Sequence, residues 1–165
     1  MASSLGHPKI VKILIDNGVD IDEIDELTET PLSYAAYEGK FEVAKLLVQN
    51  GAEVDKAYNG DYKKTPLYVA LMEGHYDIAE LLICYGADFN RCDEFYNTPF
   101  SNAVFEPNYP LIRTLIESGA NTEFRQKIDG LTPFERTMRS NWEMPGEFDT
   151  FRNLIYTKHT MSERK

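Results

Sequence analysis

Cysteine is scarce in this chain, which excludes the small folds that disulfides hold together. The 165 residues include only Cys84 and Cys92, whereas secreted disulfide-based domains carry several pairs. We expect two free thiols in a reducing compartment, with a single bridge as the alternative.

The N-terminus lacks a signal-peptide pattern, and no apolar run reaches the roughly 20 residues of a membrane-spanning helix. The sequence therefore favours a cytoplasmic protein, with export after removal of a leader left open.

Basic residues are also in short supply, which bears on the class of partner. Lysine and arginine number 17 against 27 acidic residues, giving a formal charge of −10. Such a chain repels phosphate groups, so we expect neither nucleic acid nor a membrane surface as a partner. A protein with a basic or mixed basic and apolar surface fits better. The length and the 42% hydrophobic content suit one globular domain over residues 1–165.

Two short motifs recur along the chain at nearly the same interval. Thr-Pro followed by an apolar residue begins at positions 30, 65, 98 and 132, which are 35, 33 and 34 residues apart. An apolar segment that ends in glycine closes at positions 18, 51, 86 and 119, which are 33, 35 and 33 residues apart. Two independent motifs with one spacing indicate a repeated supersecondary unit.

Each repeat carries the start and stop signals of two short helices. Thr30 is a good N-cap and Pro31 suits the first helical position, where its missing N–H has no partner in any case. Gly39 can end this helix in the left-handed conformation. A second apolar stretch with helical spacing, which includes Leu47, then runs to Gly51. The repeat therefore predicts helix, turn, helix and a projecting loop.

These motifs resemble the ankyrin repeat, whose period is about 33 residues. The third copy shows the resemblance best, with Thr65-Pro66-Leu67, Gly74-His75 and Gly86-Ala87-Asp88. The resemblance covers roughly residues 6–156 and implies an all-α ankyrin-repeat solenoid of stacked helix-turn-helix units with projecting hairpin loops. It also implies a concave face, lined by first helices and hairpins, that binds other proteins.

The repeats are expected at about 1–24 (partial), 25–59, 60–92, 93–126 and 127–156 (a C-terminal cap), followed by a tail at 157–165. The first copy lacks its Thr-Pro, so either the chain is truncated there or residues 8–17 form a bare capping helix. The histidine that the family carries two residues after proline is replaced in every copy, which puts its hairpin-to-helix hydrogen bond in question. The replacements are Ser33, Tyr68, Ser101 and Glu135.

Residues suited to catalysis or metal binding are few. His7 and His75 each follow a glycine at one repeat position, where the family uses histidine to tie the turn. Cys84 and Cys92 lack the closely spaced partners of a zinc site, and no glycine-rich phosphate loop occurs. We therefore predict no catalytic, cofactor-binding or metal site.

One loop carries a run of five carboxylates: Asp20, Asp22, Glu23, Asp25 and Glu26. A solvated loop is the main expectation, and docking of a basic segment is the alternative. The spacing lacks the glycine and terminal glutamate of an EF-hand calcium loop.

Aromatic, apolar and acidic residues recur at the positions expected to face the concave side. The apolar and aromatic members are Leu27, Tyr37, Tyr62, Met72, Phe95, Tyr96 and Phe105. The acidic members are Glu26, Glu29, Glu38, Asp61, Glu73, Glu94 and Glu106. We expect about half of the rings to pack between hairpins, the commoner fate of an aromatic, and the others to contact a partner.

A further motif is Asp88-Phe89-Asn90 after Leu82, which resembles ankyrin sequences that an asparaginyl hydroxylase modifies. Asn90 is therefore a candidate modification site, although an ordinary hairpin turn explains the same motif.

The function that these patterns favour is a monomeric protein-interaction module, acting as an adaptor or a stoichiometric inhibitor. A targeting fragment of a larger effector is the first alternative, and an enzyme with an unfamiliar site is the second.

Overall fold

The computed structural model describes residues 6–26, 29–56, 65–92, 97–105, 109–139 and 153. Within these residues the chain forms eight α-helices and no strand, which confirms the predicted all-α class. The helices are α1 (Pro8–Asp16), α2 (Pro31–Tyr37), α3 (Phe41–Gln49), α4 (Pro66–Met72), α5 (Tyr76–Cys84), α6 (Pro99–Phe105), α7 (Tyr109–Ser118) and α8 (Pro133–Arg139).

Each Thr-Pro motif starts a helix in the way the sequence predicts. The buried hydroxyl of Thr30 accepts a hydrogen bond from the Ser33 N–H at 3.1 Å, and Pro31 is the first helical residue. The same bond recurs at the three other copies, where the threonines are Thr65, Thr98 and Thr132. Because the bond spans only three residues, local sequence is sufficient to place these helix starts.

The position that lacks the family's histidine still supports the cap in two copies. Ser101 Oγ accepts from the Thr98 N–H at 2.9 Å, and Glu135 Oε2 accepts from the Thr132 N–H at 2.9 Å. This hydrogen bond and the Arg125 guanidinium hold the pKa of Glu135 below its usual value. A reciprocal capping box therefore forms at these two helices without histidine.

Glycine ends the first helix of each complete repeat in the first half of the chain. Gly39 has a φ of +67°, and the following residue, Lys40, donates its N–H to the Ala35 carbonyl at 2.9 Å. Gly74 has a φ of +75°, and His75 donates in the same way to Ala70 at 2.8 Å. This is the hydrogen-bond pattern of a Schellman motif, which turns the chain sharply into the second helix.

The described residues fall into two compact units, residues 1–94 and 95–165. In the first unit α2 packs against α3 and α4, α4 packs against α5, α3 contacts α5, and α1 contacts α3. In the second unit α6 contacts α7 and α8. The repeat bounds, the tail at 157–165 and the single domain over residues 1–165 stay predictions.

The core of the first unit consists of the apolar stripes of the second helices and the small residues of the first helices. Leu47 and Leu82 occupy one repeat position on α3 and α5, and both are fully buried. Ala35 and Ala70, on α2 and α4, are fully buried too. Because alanine is small, each first helix can lie close against its second helix.

Carboxylates of the hairpin loops join one repeat to the next. Both oxygens of Asp22 lie 3.1 Å from the Glu53 N–H, which donates to them, and Asp22 is buried. Asp55 accepts in the same way from the Asp88 N–H at 3.0 and 3.1 Å. The expectation of a solvated acidic loop is therefore wrong for Asp22, because its carboxylate replaces water as the acceptor of a backbone N–H.

The Asp55 carboxylate has an unfavourable environment for its charge. Burial raises the pKa of Asp55, and the nearby Asp88 carboxylate raises it further. The hydrogen bond from the Asp88 N–H and the charge of Arg91 oppose this shift without cancelling it. The loop therefore keeps its hydrogen bond at a cost in electrostatic free energy.

Candidate partner-binding surface

The C-terminal ends of α2 and α4 lie side by side and present exposed apolar side chains. Tyr37 ends α2 with 55% of its surface exposed, and Met72 ends α4 with 51% exposed. The residues that follow them, Glu38 and Glu73, are also exposed. We refer to these four residues as the α2/α4 surface.

The position of Tyr37 and Met72 in the repeat explains their exposure. The preceding residues of α2, Ala35 and Ala36, are fully buried and face the core. On α4, Ala70 and Leu71 have the same role. Because each residue advances a helix by about 100°, the next side chain points away from that core. Apolar side chains there contribute little to folding and are available for contact.

The two glutamates place negative charge where the helices are already negative. Glu38 and Glu73 are the C-cap residues of α2 and α4, and neither helix has a basic residue in its last turn. The free carbonyl groups at a helix C-terminus carry partial negative charge, so each carboxylate there costs about 0.3–1 kcal/mol. The paired ends therefore form an anionic rim beside Tyr37 and Met72 that favours a cationic group.

The backbone below Tyr37 is held by the next repeat. His75 donates from Nε2 to the Tyr37 carbonyl over 3.1 Å, which confirms that this histidine ties the turn. The contact also requires a glycine at position 39, because a Cβ added there would lie 2.5 Å from the His75 ring. A backbone fixed in this way loses little entropy when a partner binds.

A tyrosine that the sequence patterns did not point to anchors the acidic loop beside this surface. The Tyr34 hydroxyl donates to Asp25 at 2.6 Å. This hydrogen bond, with burial and the charges of Asp25 and Glu29, raises the pKa of Tyr34 to about 12. Tyr34 lies three residues before Tyr37 and so shares its side of α2, a spacing that could have identified it.

The structure brings together four of the predicted partner-binding residues. Tyr37, Glu38, Met72 and Glu73 form the α2/α4 surface, Glu26 is exposed in the preceding loop, and Glu29 is half-buried before α2. The other predicted residues lie outside the described residues: Leu27, Asp61, Tyr62, Glu94, Phe95, Tyr96 and Glu106. Phe105 ends α6, but its side chain is also outside them. These positions stay predictions.

In the described part of the second unit, Ile128 is an exposed apolar residue that the sequence patterns did not point to. Ile128 is 71% exposed in a turn that closes when the Gly130 N–H donates to the Gln126 carbonyl at 2.9 Å. Arg125 also donates to the Gly130 carbonyl at 2.8 Å. The turn signal of Asp129-Gly130 after an apolar residue could have identified this position.

Other candidate sites have simpler roles in the described residues. No group of three or more His, Cys, Asp or Glu side chains is arranged there to hold a metal ion. His7 is exposed at the start of α1, and the two cysteines are free. Asn90 is exposed, and its N–H donates to Asp88 Oδ1 at 2.9 Å, closing the hairpin turn.

None of the described helices has both the length and the apolar composition needed to cross a membrane.

Comparison with known proteins gives one family. The family model described as ankyrin repeats, in three copies, matches residues 1–93. The ankyrin repeat protein nuc-2 of Neurospora crassa is 30% identical over 124 residues, which are 74% of this chain and 11% of that protein. The transient receptor potential cation channel subfamily A member 1 homolog of Caenorhabditis elegans is 35% identical over 57 residues, 34% of this chain and 5% of that protein. The chain thus spans a small part of the length of each relative.

Proposed function

Because this chain belongs to the ankyrin repeat family, whose repeats generally bind other proteins, we propose that it binds a partner protein through the α2/α4 surface. The observation that carries the proposal is the exposure of Tyr37 and Met72 at one repeat position on neighbouring helices. Tyrosine and methionine are enriched in the cores of protein interfaces. Two such side chains on a fixed backbone provide an apolar centre for contact.

The charge around this centre supports a partner with a basic or mixed basic and apolar segment. Glu38 and Glu73 border Tyr37 and Met72, and Asp25 is held beside α2 by Tyr34. A lysine or arginine of the partner would offset both the carboxylates and the helix-end carbonyls. The net charge of −10 would attract the same partner from a distance.

The mode of action that we propose is occupancy of the partner's surface, as an adaptor or a stoichiometric inhibitor, by a chain that is itself monomeric. The family is typically non-catalytic, and the best-placed histidine, His75, is used in a backbone hydrogen bond. The alternative is that these repeats are the targeting part of a larger effector. In that case the binding surface is the same but the consequence differs.

Site-specific photocrosslinking tests the surface directly. A photoreactive residue at position 72 should crosslink the partner in cells, whereas the same residue at Cys84, which is exposed on α5, should not. With the captured partner purified, Tyr37→Ser should weaken binding by roughly 1–3 kcal/mol. Tyr85→Ser removes an exposed tyrosine from the C-cap of α5 and should leave affinity unchanged. Equal crosslinking at both positions would refute this surface.

The consequence of binding is a separate measurement. If the partner is an enzyme, an inhibitor abolishes its activity at a one-to-one ratio, and an adaptor leaves that activity intact while joining it to a third protein. Titration of the purified partner with this chain distinguishes the two.

We also propose a cytoplasmic location and hydroxylation of Asn90. The free Cys84 and Cys92 support a reducing compartment, and the exposure of Asn90 supports access by a modifying enzyme. Peptide mass spectrometry of the native protein should find Asn90 heavier by one oxygen atom. If every peptide that contains Asn90 is unmodified, closure of the hairpin turn is the role that remains for Asn90.

A further inference from the structure

A groove of about 630 Å³ lies between α1 and α3. These helices hold the second-helix position of the repeat, because the glycines that follow them, Gly18 and Gly51, belong to one recurring motif. The α2/α4 surface, by contrast, lies on first helices. The side chains that line the groove include Lys9, Lys12, Ile13, Glu42, Lys45 and Leu46. We refer to these six residues as the α1/α3 groove.

Lysine followed by an aliphatic residue recurs at one repeat position in this groove. Lys12-Ile13 on α1 corresponds to Lys45-Leu46 on α3, and each pair ends five residues before the glycine of its repeat. The next repeat has Glu80-Leu81 at this position on α5. The basic and aliphatic pair therefore occurs on the two helices that form the groove and is lost on the next one.

The lysines make the groove positive in a chain whose net charge is −10. Lys9 and Lys45 are exposed, and neither forms an ion pair with another residue that the structure describes. Lys12 lies 2.6 Å from Asp16, but both side chains are about half exposed, and such a pair contributes little. Glu42 supplies one negative charge against the three lysines. An anionic partner would therefore find cationic groups that are not already engaged.

The N-terminus of α1 adds to this positive charge. The first N–H groups of a helix carry partial positive charge, which acidic residues in the first turn usually offset. The first turn of α1 has no acidic residue, its second residue is Lys9, and the N-cap His7 makes no side-chain hydrogen bond to this helix. A carboxylate of a partner near Lys9 would offset both charges.

Aliphatic side chains line the groove together with the lysines. Ile13 is 61% exposed, and Leu46 is half-buried. A small anion such as phosphate would leave these side chains uncovered, and nucleic acid would be repelled by the acidic remainder of the chain. A peptide with carboxylates on either side of an aliphatic residue would contact both the lysines and the aliphatic side chains.

The dimensions of the groove suit a short segment. Helices α1 and α3 have nine residues each, which gives a length of about 14 Å. We propose that the α1/α3 groove binds a short acidic segment of a partner protein through its three lysines, with an aliphatic side chain of that segment against Ile13 and Leu46. This binding does not depend on the α2/α4 surface. Two surfaces of opposite charge would let the chain join two proteins.

Titration of the full isotope-labelled chain with an acidic peptide tests the groove. The probe is Glu-Asp-Glu-Leu-Leu-Glu-Asp-Glu, and the amide chemical shifts report where it binds. The shifts should change in α1 and α3 with a Kd of about 1 mM or below, the weak range expected for so small a contact. The same peptide with serine in place of both leucines should bind at least about threefold more weakly.

Matched variants separate contact in the groove from general effects of charge and hydrophobicity. Lys45→Glu should weaken peptide binding at least about tenfold. Arg113→Glu makes the same charge change at the same repeat position on α7 and should leave binding unchanged. Ile13→Ser should weaken binding about threefold, whereas Leu14→Ser alters an exposed neighbour on α1 that does not line the groove and should have no effect.

Two results of the titration would overturn the proposal. One is unchanged shifts in α1 and α3 at millimolar peptide, and the other is equal weakening by Lys45→Glu and Arg113→Glu. Other occupants have their own measurements. Binding to phosphatidylserine vesicles that Lys45→Glu abolishes would assign the groove to a membrane surface instead. A dimer in light scattering that Lys45→Glu disrupts would assign it to an acidic surface of a second copy.

Discussion

Within one repeat, the apolar stripe of the second helix is buried, whereas the C-terminal end of the first helix is exposed. Leu47 on α3 and Leu82 on α5 are fully buried. Tyr37 on α2 and Met72 on α4 lie within the same repeats and keep more than half of their surface exposed. Since both pairs recur at a fixed repeat position, the difference indicates a division between residues that hold the fold and residues that are free for a partner.

The carboxylates also fall into a structural group and an exposed group, and composition alone would not indicate this division. Asp22 and Asp55 accept backbone hydrogen bonds from the next repeat, whereas Glu38 and Glu73 are exposed at helix ends. The net charge of −10 therefore combines structural carboxylates with an accessible anionic rim.

The largest effect is expected in the buried stripe. Leu47→Ala should lower the free energy of unfolding by about 2–5 kcal/mol, because it removes buried methyl groups and leaves a cavity. Leu14→Ala changes the same repeat position on α1, where 41% of the side chain is exposed, and should cost clearly less. Urea unfolding of both variants measures the difference. Equal losses of unfolding free energy in the two variants would show that the burial of this repeat position does not determine its contribution to stability.

Salt should affect binding at the anionic rim without affecting the stripe. Raising ionic strength from low to about 0.5 M should lower the association rate with a basic partner by about tenfold, the lower range of electrostatic steering. Stopped-flow mixing measures this rate. The Glu38→Gln, Glu73→Gln double variant is the control, and its association rate should depend less on salt. If the salt dependence of the double variant equals that of the wild type, these glutamates do not steer association.

A smaller effect is expected from a structural carboxylate. Its raised pKa means that Asp55 carries no penalty below the pKa of the unfolded chain and a growing penalty as pH rises through the folded value. Asp55→Asn keeps a neutral acceptor for the Asp88 N–H and should stabilise the protein at pH 7 by less than about 1 kcal/mol. Near pH 3 the two proteins should have similar stability. Destabilisation at neutral pH would show that the charge of Asp55, through Arg91, is favourable.

The smallest effect concerns the tyrosine that anchors the acidic loop. Because the folded pKa of Tyr34 is about 12 against 10.0 for a free tyrosine, its stabilisation is present below pH 10 and lost as pH rises toward 12. The stability difference between wild type and Tyr34→Phe should shrink over that interval. Thermal unfolding at several alkaline pH values measures it, and a constant difference would mean that the Asp25 hydrogen bond contributes nothing.

The parts of the fold that sequence predicted depend on local interactions. Thr30 caps a helix through an N–H three residues away, so the motif alone locates the helix start. The burial of Asp22 was not predicted, because its partner, the Glu53 N–H, lies 31 residues along the chain. At the surface, repeat position selected Tyr37 and Met72 as candidates for the concave face without deciding which side chains would be exposed, and the structure shows both exposed. Ile128 lies four residues before Thr132, the repeat position of Glu26, Asp61 and Glu94, so the same counting could have selected it.

The most direct test measures affinity and stability together in the Tyr37→Ser, Met72→Ser double variant, with Tyr85→Ser as the control. The proposed division predicts that the double variant loses roughly 2–4 kcal/mol of binding free energy while its free energy of unfolding changes by no more than about 0.5 kcal/mol. Full affinity in the double variant, or a loss of stability as large as that of Leu47→Ala, would contradict it.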